Sequence, residues 1–420
     1  MFTPLHRELG VEPTPTLGYE LLEQAVERGV LEQEDLDWKA ALSDHEGWLD
    51  EFAKDVAAMA NGAGGLIVYG VAEVKRTSAA KDLIDVGEVD QARERALRQA
   101  AYSAVRPAIT HLSIERLASV DGTTRALVVR VPSSLDAPHL VFRNQVFGAP
   151  MRVGRHTEWM QEWQIERAYR ARFRGQEERT ARLDAMWTDE AEALRLRQQA
   201  QDAHIWLLVA ATPVDPTPIS VGQATAEQAS SILREGWLLA ERAVSGRNGN
   251  FMHNFGVRPG GRRWTVVNGD DDTFVAVGHD GSVTYAEIVG GRADFDEGSL
   301  LAVVREELER AVAKAVGIVA IAGRELHLQG PHRVRASLVW WPRDSAIVFA
   351  REDNMLGSSR LRLVQPLMPV FRLLPETTEV DGTATEEELR SHMREITVAL
   401  ASQGGLDKVR FLSPRPDGGR

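Results

Sequence analysis

No cysteine occurs in the 420 residues. That excludes disulfide staples, cysteine-ligated zinc and a thiol nucleophile, and it suits a reducing compartment. Long apolar runs are missing as well. A membrane span needs roughly 18 such residues, and the best candidate, "AVGIVAIAG" from Ala315 to Gly323, has the length of a core helix or strand. The opening "MFTPLHRELGVEPTPT" does not have the basic-then-apolar layout of a signal peptide. Neither G-x-S-x-G nor H-E-x-x-H is present, which leaves serine-hydrolase and zincin chemistry without a foothold. "NGAGG" at 61–65 is followed by no Lys-Ser/Thr and so is not a P-loop. It reads as a helix-to-strand turn, with a phosphate cradle as the other use of such glycines. These absences together read as a soluble cytoplasmic protein with no membrane contact.

What is present is enough apolar matter, 43%, for two domains with cores of their own. The net charge of −12 disfavours indiscriminate nucleic-acid binding over the whole surface. The charge is uneven, however. From Arg143 to Arg182 there are nine arginines, five glutamates, and no aspartate or lysine, a local balance of +4. Arginine suits bidentate phosphate contacts; a solvated helix gives the same composition.

Periodicity divides the chain. "LGYELLEQAVERG" fits a helix with Leu21, Leu22, Ala25 and Val26 as its stripe and Gly29 as its stop. "DLDWKAAL" alternates, with Leu36 and Trp38 on one side and Asp37 and Lys39 on the other. Ser43 and Glu46 fit a capping box for the next helix, which buries Phe52, Val56, Met59 and Ala60 and ends at Asn61 and Gly62. "GLIVYGVAE" is nearly all apolar, as a central strand covered on both faces is. A helix over about Val89–Val105 and strands at "RALVVRVP", "HLVFRN" and "APMRVGR" complete a first α+β domain, and a long polar helix or helix pair follows from about Glu158 to Ala203. The second half opens with the strand "HIWLLVAATP". It continues with a β-meander through "RRWTVVNGDDDTFVAVGHDGSVTYAEIVGG", whose "NGDDD" reads as a hairpin turn, and with amphipathic helices. "RASLVWWPRDSAIVFAR" reads as a further hairpin and "TATEEELRSHMREITVALASQ" as a capped helix. The expected division is 1–175, a helical connector at 176–202, a second α+β domain at 203–412 as a sensing or assembly module, and a disordered tail at 413–420.

The chemistry candidates sit in the first domain. Asp37 and Lys39, two apart on one strand, share a face. Glu73 ends the apolar strand, and Glu32 lies where the chain leaves the first helix. Three carboxylates and a lysine converging would suit Mg²⁺ or Mn²⁺ and phosphodiester cleavage. The plain alternative is acids solvated at strand ends and a weak surface pair. His139 and His156 fall in loops beside this set, where a phosphate contact or simple solvation accounts for them. Arg143, Arg152 and Arg155 flank strands, and Arg167, Arg170 and Arg174 share one helical face. Trp159 and Trp163 read first as packing for the exit helix, with base stacking as the other reading.

Glu32, then Asp37-Trp38-Lys39, Met59-Ala60-Asn61, Gly64-Gly65 and Gly70-Val71-Ala72-Glu73 follow one another in an order that resembles the AlbA_2 domain of the Schlafen family. "VVRVPSSLDAPH" and "MRVGRHTEWM" are similar to that family's later strands, so the resemblance covers about residues 15–175. It implies a nucleic-acid-handling domain. In the ribonuclease members the matching acids and lysine cleave tRNA or rRNA with Mg²⁺ or Mn²⁺, which carries metal ligation to Glu32, Asp37 and Glu73 and charge stabilisation to Lys39. Asp37 stands where the pattern has Glu, Trp38 where it has Phe, and Glu73 where it has Asp. Animal members join two such lobes. With one visible here, the resemblance implies a homodimer. The expected function is therefore an endoribonuclease acting on tRNA-like RNA, in phage defence or a stress response. The alternative is a non-catalytic DNA- or RNA-binding regulator with a sensing second domain.

Overall fold

The computed structural model describes residues 3–12, 16–43, 45, 47–109, 112–143, 146–197, 203–215, 224–244, 256–267, 272–328, 330–342, 344–355 and 358–412. "NGDDD", Glu46 and the tail 413–420 therefore lie wholly or largely outside the described residues. The chain forms two compact units, Met1–Glu177 and Glu178–Arg420, both mixing helices with open sheets. Among the described residues no helix is long and apolar enough to cross a membrane.

The first unit runs α1 (Pro4–Leu9), α2 (Tyr19–Glu27), β1 (Leu36–Lys39), α3 (Trp48–Ala60), β2 (Gly65–Tyr69), β3 (Val71–Val74), β4 (Ala79–Leu83), α4 (Gln91–Ser103), β5 (Val105–Arg106), β6 (Ser113–Ala118), β7 (Arg125–Val131), β8 (Leu140–Arg143), β9 (Val146–Gly148), β10 (Pro150–Val153) and β11 (His156–Trp159). Its main sheet has the order β1-β2-β7-β6, with β1 parallel to β2 and the other pairs antiparallel. The period-2 alternation splits the apolar residues between two cores. Leu36, Trp38, Leu66, Val68 and Val128 pack with α1 and α2 residues, whereas Ile67, Tyr69, Leu127, Val129 and Val131 pack with α3 and α4 residues. Two covered faces explain why "GLIVY" carries no polar residue.

Two sequence expectations change here. α3 starts at Trp48 with the left-handed Gly47 as its N-cap, so the expected Ser43–Glu46 box is not its start. "GLIVYGVAE" is not one strand. Gly70 has φ 103, and a Cβ there would lie 2.9 Å from the Ile84 carbonyl oxygen. The chain turns at this point, and Glu73 moves onto a separate hairpin, β3–β4. Gly64 and Gly65 act structurally. A Cβ on Gly65 would meet the Asp35 carbonyl oxygen at 2.2 Å and one on Gly64 the Ser133 nitrogen at 2.4 Å, so their bareness is taken up by the protein's own backbone.

α5 (Glu162–Arg197) is a single helix. The second unit continues with β12 (His204–Pro213), α6 (Ala226–Ala243), β13 (Arg258–Pro259), β14 (Arg263–Val267), β15 (Thr273–Gly278), β16 (Val283–Phe295), β17 (Gly298–Val304), α7 (Arg305–Glu325), β18 (His332–Trp340), β19 (Ile347–Met355), β20 (Ser358–Leu363), β21 (Glu376–Val380) and α8 (Glu386–Ser402). The sheet order is β13-β14-β15-β16-β12-β18-β21, with β17, β19 and β20 extending from the far half of β16. Ile205, Leu207, Val209 and Ala211 of β12 share a core with residues of α6, α7 and α8, while Trp206 and Leu208 pack with Trp187, Ala191 and Leu194 of α5. The β14–β15–β16 meander and the capped helix α8, with its Thr385/Glu388 box, match the sequence reading. The expected β18–β19 hairpin does not form. β18 lies between β12 and β21, and β19 lies between β17 and β20. Each strand is largely buried, and two neighbours apiece satisfy more backbone than a lone hairpin would.

Candidate nucleic-acid interface and acidic site

After α2 the chain runs against the end of β4. The Ala80 N–H donates to the Val30 carbonyl and the Glu32 N–H to the Ser78 carbonyl, both at 2.9 Å. It reverses at once, Gln33 and Leu36 exchanging backbone hydrogen bonds, and enters β1. This reversal folds Glu32 back beside β1, the edge of its sheet, where Glu32 Oε1 accepts the Trp38 N–H at 2.8 Å.

Asp37 is buried. Lys39 Nζ lies 2.9 Å from its Oδ2, as two residues on one strand face allow, and Arg152 Nη1 donates to its Oδ1 at 2.9 Å. Arg152 is buried too, and its Nη2 donates to the Gln33 carbonyl at 3.2 Å. Lys39 also lies 3.4 Å from Asp55 on α3. The alternation of β1 therefore directs Asp37 and Lys39 to the α3 face, with Tyr69 close by. Asp55 was not singled out from the sequence, although the signal is there. It occupies a position of the stripe Phe52, Asp55, Val56, Met59, where an acid on a buried helix face needs a partner.

Three acids, Glu32, Asp37 and Asp55, thus lie about Lys39, and Arg152 pairs with Asp37 from the other side. Glu32 responds most: burial, together with repulsion from Asp37 and Glu73, raises its carboxyl to about 7 against the hydrogen bond from the Trp38 N–H, and it shares a further hydrogen bond with Asp37. Burial also raises Asp55, although Lys39 opposes this. For Lys39 itself burial lowers the pKa, but Asp37 and Asp55 outweigh it, so the ammonium is held above its ordinary value and stays charged at neutral pH. Burial raises the Tyr69 phenol, and Asp55 and Asp37 add to the effect.

A pH prediction follows from Glu32. A carboxyl that binds its proton more tightly when folded stabilises the fold fully below about pH 4.5 and loses that contribution as pH climbs toward about 7. Glu32→Gln, a permanent mimic of the protonated form, should be more stable than the parent at pH 8 by on the order of 2 kcal/mol. The difference should shrink toward pH 4.5 in urea titrations run at a series of pH values.

The structure thus brings Glu32, Asp37 and Lys39 together, with Glu73 exposed on β3 and felt by Glu32 through its charge. As arranged, these carboxylates have the charge and the oxygen chemistry for a divalent ion, but Asp37 directs its oxygens at Lys39 and Arg152. Among the described residues no group of three His, Asp or Glu side chains is set to hold a metal ion.

The arginines separate into kinds. Arg152, expected at the phosphate surface, is instead the buried partner of Asp37, because the alternation of β10 turns it inward while Val153 faces solvent. Arg155, Arg167, Arg170 and Arg174 are exposed; Arg170 pairs with Glu166 at 2.5 Å, one helical turn before it. Arg143 ends β8, and its side chain lies outside what is described. His156 is exposed, but His139 is buried, its Nδ1 bonded to the Pro107 carbonyl at 2.8 Å, and burial lowers its pKa. His139 is fixed by Asn61, the C-cap of α3. The Asn61 side chain accepts the His139 N–H at 2.6 Å and donates to the His139 and Pro150 carbonyls at 2.9 and 2.8 Å.

Residues 32–161 match the family model described as Schlafen, AlbA_2. Among solved structures, the DIP2311 protein from Corynebacterium diphtheriae is 18% identical with a TM-score of 0.22, over 32% of this chain and 24% of its own. The chain thus spans about a quarter of that protein. The N-terminal domain of a RecG-related protein from Nitrosomonas europaea, named for an ATP-dependent DNA helicase, is 19% identical with a TM-score of 0.26, over 35% of this chain and 94% of its own. No curated protein matches the chain. A Schlafen AlbA_2 segment points to nucleic-acid binding.

Proposed function

With residues 32–161 matching the Schlafen AlbA_2 family, we propose that the first unit binds RNA and cleaves it as a divalent-metal-dependent endoribonuclease, tRNA being the first substrate to try. The observation that supports this reading is geometric: Lys39 lies 2.9 Å from Asp37 and 3.4 Å from Asp55, and Glu32 is folded back beside them onto the Trp38 N–H, with Glu73 acting on Glu32 through its charge. Glu32, Asp37 and Glu73 are the residues that would hold Mg²⁺ or Mn²⁺, an ion that supplies a polarised water and a clamp on phosphate oxygens. The chain's own contribution is positioning and charge. Lys39, kept cationic by its two aspartates, stabilises negative charge developing on phosphate. The exposed Arg155, Arg167 and Arg174 hold the backbone of the strand. A homodimer supplying a second lobe, and a part in phage defence or stress, belong to this same reading.

One observation favours a second reading. Arg152 already supplies a positive charge to Asp37 in a buried, hydrogen-bonded pair, as a site retired from catalysis would have it. The unit is then a nucleic-acid-binding regulator of RNA or DNA. Incubation with total tRNA and Mn²⁺ separates the two. The nuclease predicts cleavage by the parent and a loss of at least 100-fold in Asp37→Asn, chosen because it is nearly isosteric. Equal cleavage by both removes the site. Binding by both without cleavage, weakening as salt rises, leaves the regulator.

A further inference from the structure

Between β20 and β21 of the second unit the chain reads "QPLMPVFRLLP", Gln365 to Pro375. Its inward residues do what an apolar run should: Val370 and Leu373 are buried and join the core shared with α7 and α8 residues. Its outward residues do not. Leu367, Met368, Phe371 and Leu374 are 38%, 47%, 64% and 63% exposed. Single exposed apolar side chains need no explanation, but four on the outer side of one short strap form a contact surface.

The strap is held in place. Val370 and Ile347 exchange backbone hydrogen bonds at 2.8 and 3.0 Å. Gln403, the C-cap of α8, accepts the Leu374 N–H at 2.8 Å and donates to the Leu374 carbonyl at 3.0 Å. Two residues on, a Cβ at Gly405 would lie 2.8 Å from the Met368 sulfur, so Met368 rests against bare backbone. Met368 and Leu374 therefore border the same turn, with Phe371 between them in the chain. Pro366, Pro369 and Pro375 restrict the backbone further. A surface fixed in advance loses little entropy on binding.

The charges beside it point to the occupant. Arg372 and Glu376 lie two residues either side of Leu374, and neither side chain is paired among the described residues. Across a two-fold axis residue i of one copy meets j of the other, and j meets i. With two straps antiparallel and the axis at Leu374, each Arg372 falls beside the partner's Glu376, and the apolar side chains close between the copies. Resting on the homodimer in the reading above, we infer that this strap is the seat of a second copy of the chain. Arg372 is the strap's one arginine, too little charge to hold a phosphate backbone, and a chain of net charge −12 is repelled by anionic lipid. A standard interface takes about 800 Å² from each partner; the strap supplies its apolar centre and the polar surface around it the rim.

The test is sedimentation velocity on the full chain, in a concentration series up to about 50 µM, where a micromolar dimer is populated. The parent is expected to sediment as a dimer. Phe371→Ala/Leu374→Ala should weaken it at least about 30-fold, the effect of losing a central anchor. Arg372→Glu, which sets like charges together, should weaken it about 10-fold, and Arg372→Glu/Glu376→Arg should return to within about 3-fold of the parent. That recovery separates a lost contact from a lost fold. A dimer that the alanine variant leaves unchanged overturns the strap while the homodimer stands. Arg372→Glu as dimeric as the parent, or a double variant without recovery, overturns the two-fold contact at Leu374. A parent that is monomeric throughout overturns the strap and the homodimer together, and flotation of that monomer with phosphatidylserine vesicles would give the strap to lipid instead.

Discussion

Arg152→Ala should cost the first unit about 3–5 kcal/mol of unfolding free energy, the range for breaking a buried ion pair by removing one partner. The magnitude comes from what is left behind. Both side chains of the Arg152–Asp37 pair are 4% exposed. Without the guanidinium, Asp37 keeps only the ammonium of Lys39, which Asp55 shares, and the Gln33 carbonyl loses its donor. The pair need not be a net source of stability. Its mutual attraction and the cost of drying two charges nearly cancel, and apolar replacement of both can be neutral or better. Arg152→Met/Asp37→Leu should therefore recover much of what Arg152→Ala loses. Urea unfolding of the three proteins, followed by tryptophan emission and far-ultraviolet dichroism, decides it. A double variant as unstable as Arg152→Ala would mean that Arg152 acts through shape, and that the charge argument is wrong.

The second large effect belongs to the other unit. Glu309 is wholly buried on α7, and its carboxylate accepts three consecutive backbone N–H groups, from Arg410, Phe411 and Leu412, at 2.7, 2.7 and 3.1 Å. One turn earlier Glu306, also buried, accepts the Glu352 N–H at 3.0 Å; burial alone would raise its carboxyl, but that bond and Arg305 hold it below its ordinary value. Hydrogen bonds to a charged group are worth about 1.5–3 kcal/mol each, and unsatisfied buried donors carry their own penalty. Glu309→Ala should accordingly destabilise the second unit by about 4 kcal/mol, and hydrogen exchange at 410–412 should rise far more than in α6. Glu309→Gln retains an acceptor oxygen and should lose about half as much. Protection at 410–412 unchanged in Glu309→Ala would show that Leu412, buried in the core, holds the segment unaided.

Much of this architecture could be read before any coordinate. The stripes of α2 and α3, the all-apolar β2, the β14–β15–β16 meander and the Thr385 box are local patterns, and local patterns report local structure. What escaped reading was long-range. The Arg152–Asp37 pair joins residues 115 apart, and nothing in "MRVGR" says which alternate side chain turns inward. The β18–β19 error has the same source: a short connection suggests a hairpin, but strand order depends on which distant apolar strands compete for each edge. At the site, the sharing of one face by Asp37 and Lys39 was legible from period-2 alternation. The strand that carries Glu73 was misread as continuous with β2, because the Gly70 turn that separates them depends on the approach of Ile84 and Ala126 from elsewhere in the chain.

Asn61 carries one more implication, for the ageing of the protein. It is followed by Gly62, and an asparagine before glycine is the pairing in which the next backbone nitrogen most readily attacks the side-chain amide and releases ammonia. Here that amide is pinned by three hydrogen bonds, and pinning keeps its carbonyl carbon from the geometry of attack. Were the reaction to occur, two carbonyl oxygens, those of His139 and Pro150, would face a new carboxylate instead of an amide donor, a repulsive arrangement. The clamp that joins α3 to β10 therefore also guards its own chemical integrity, and damage there should follow local unfolding instead of preceding it.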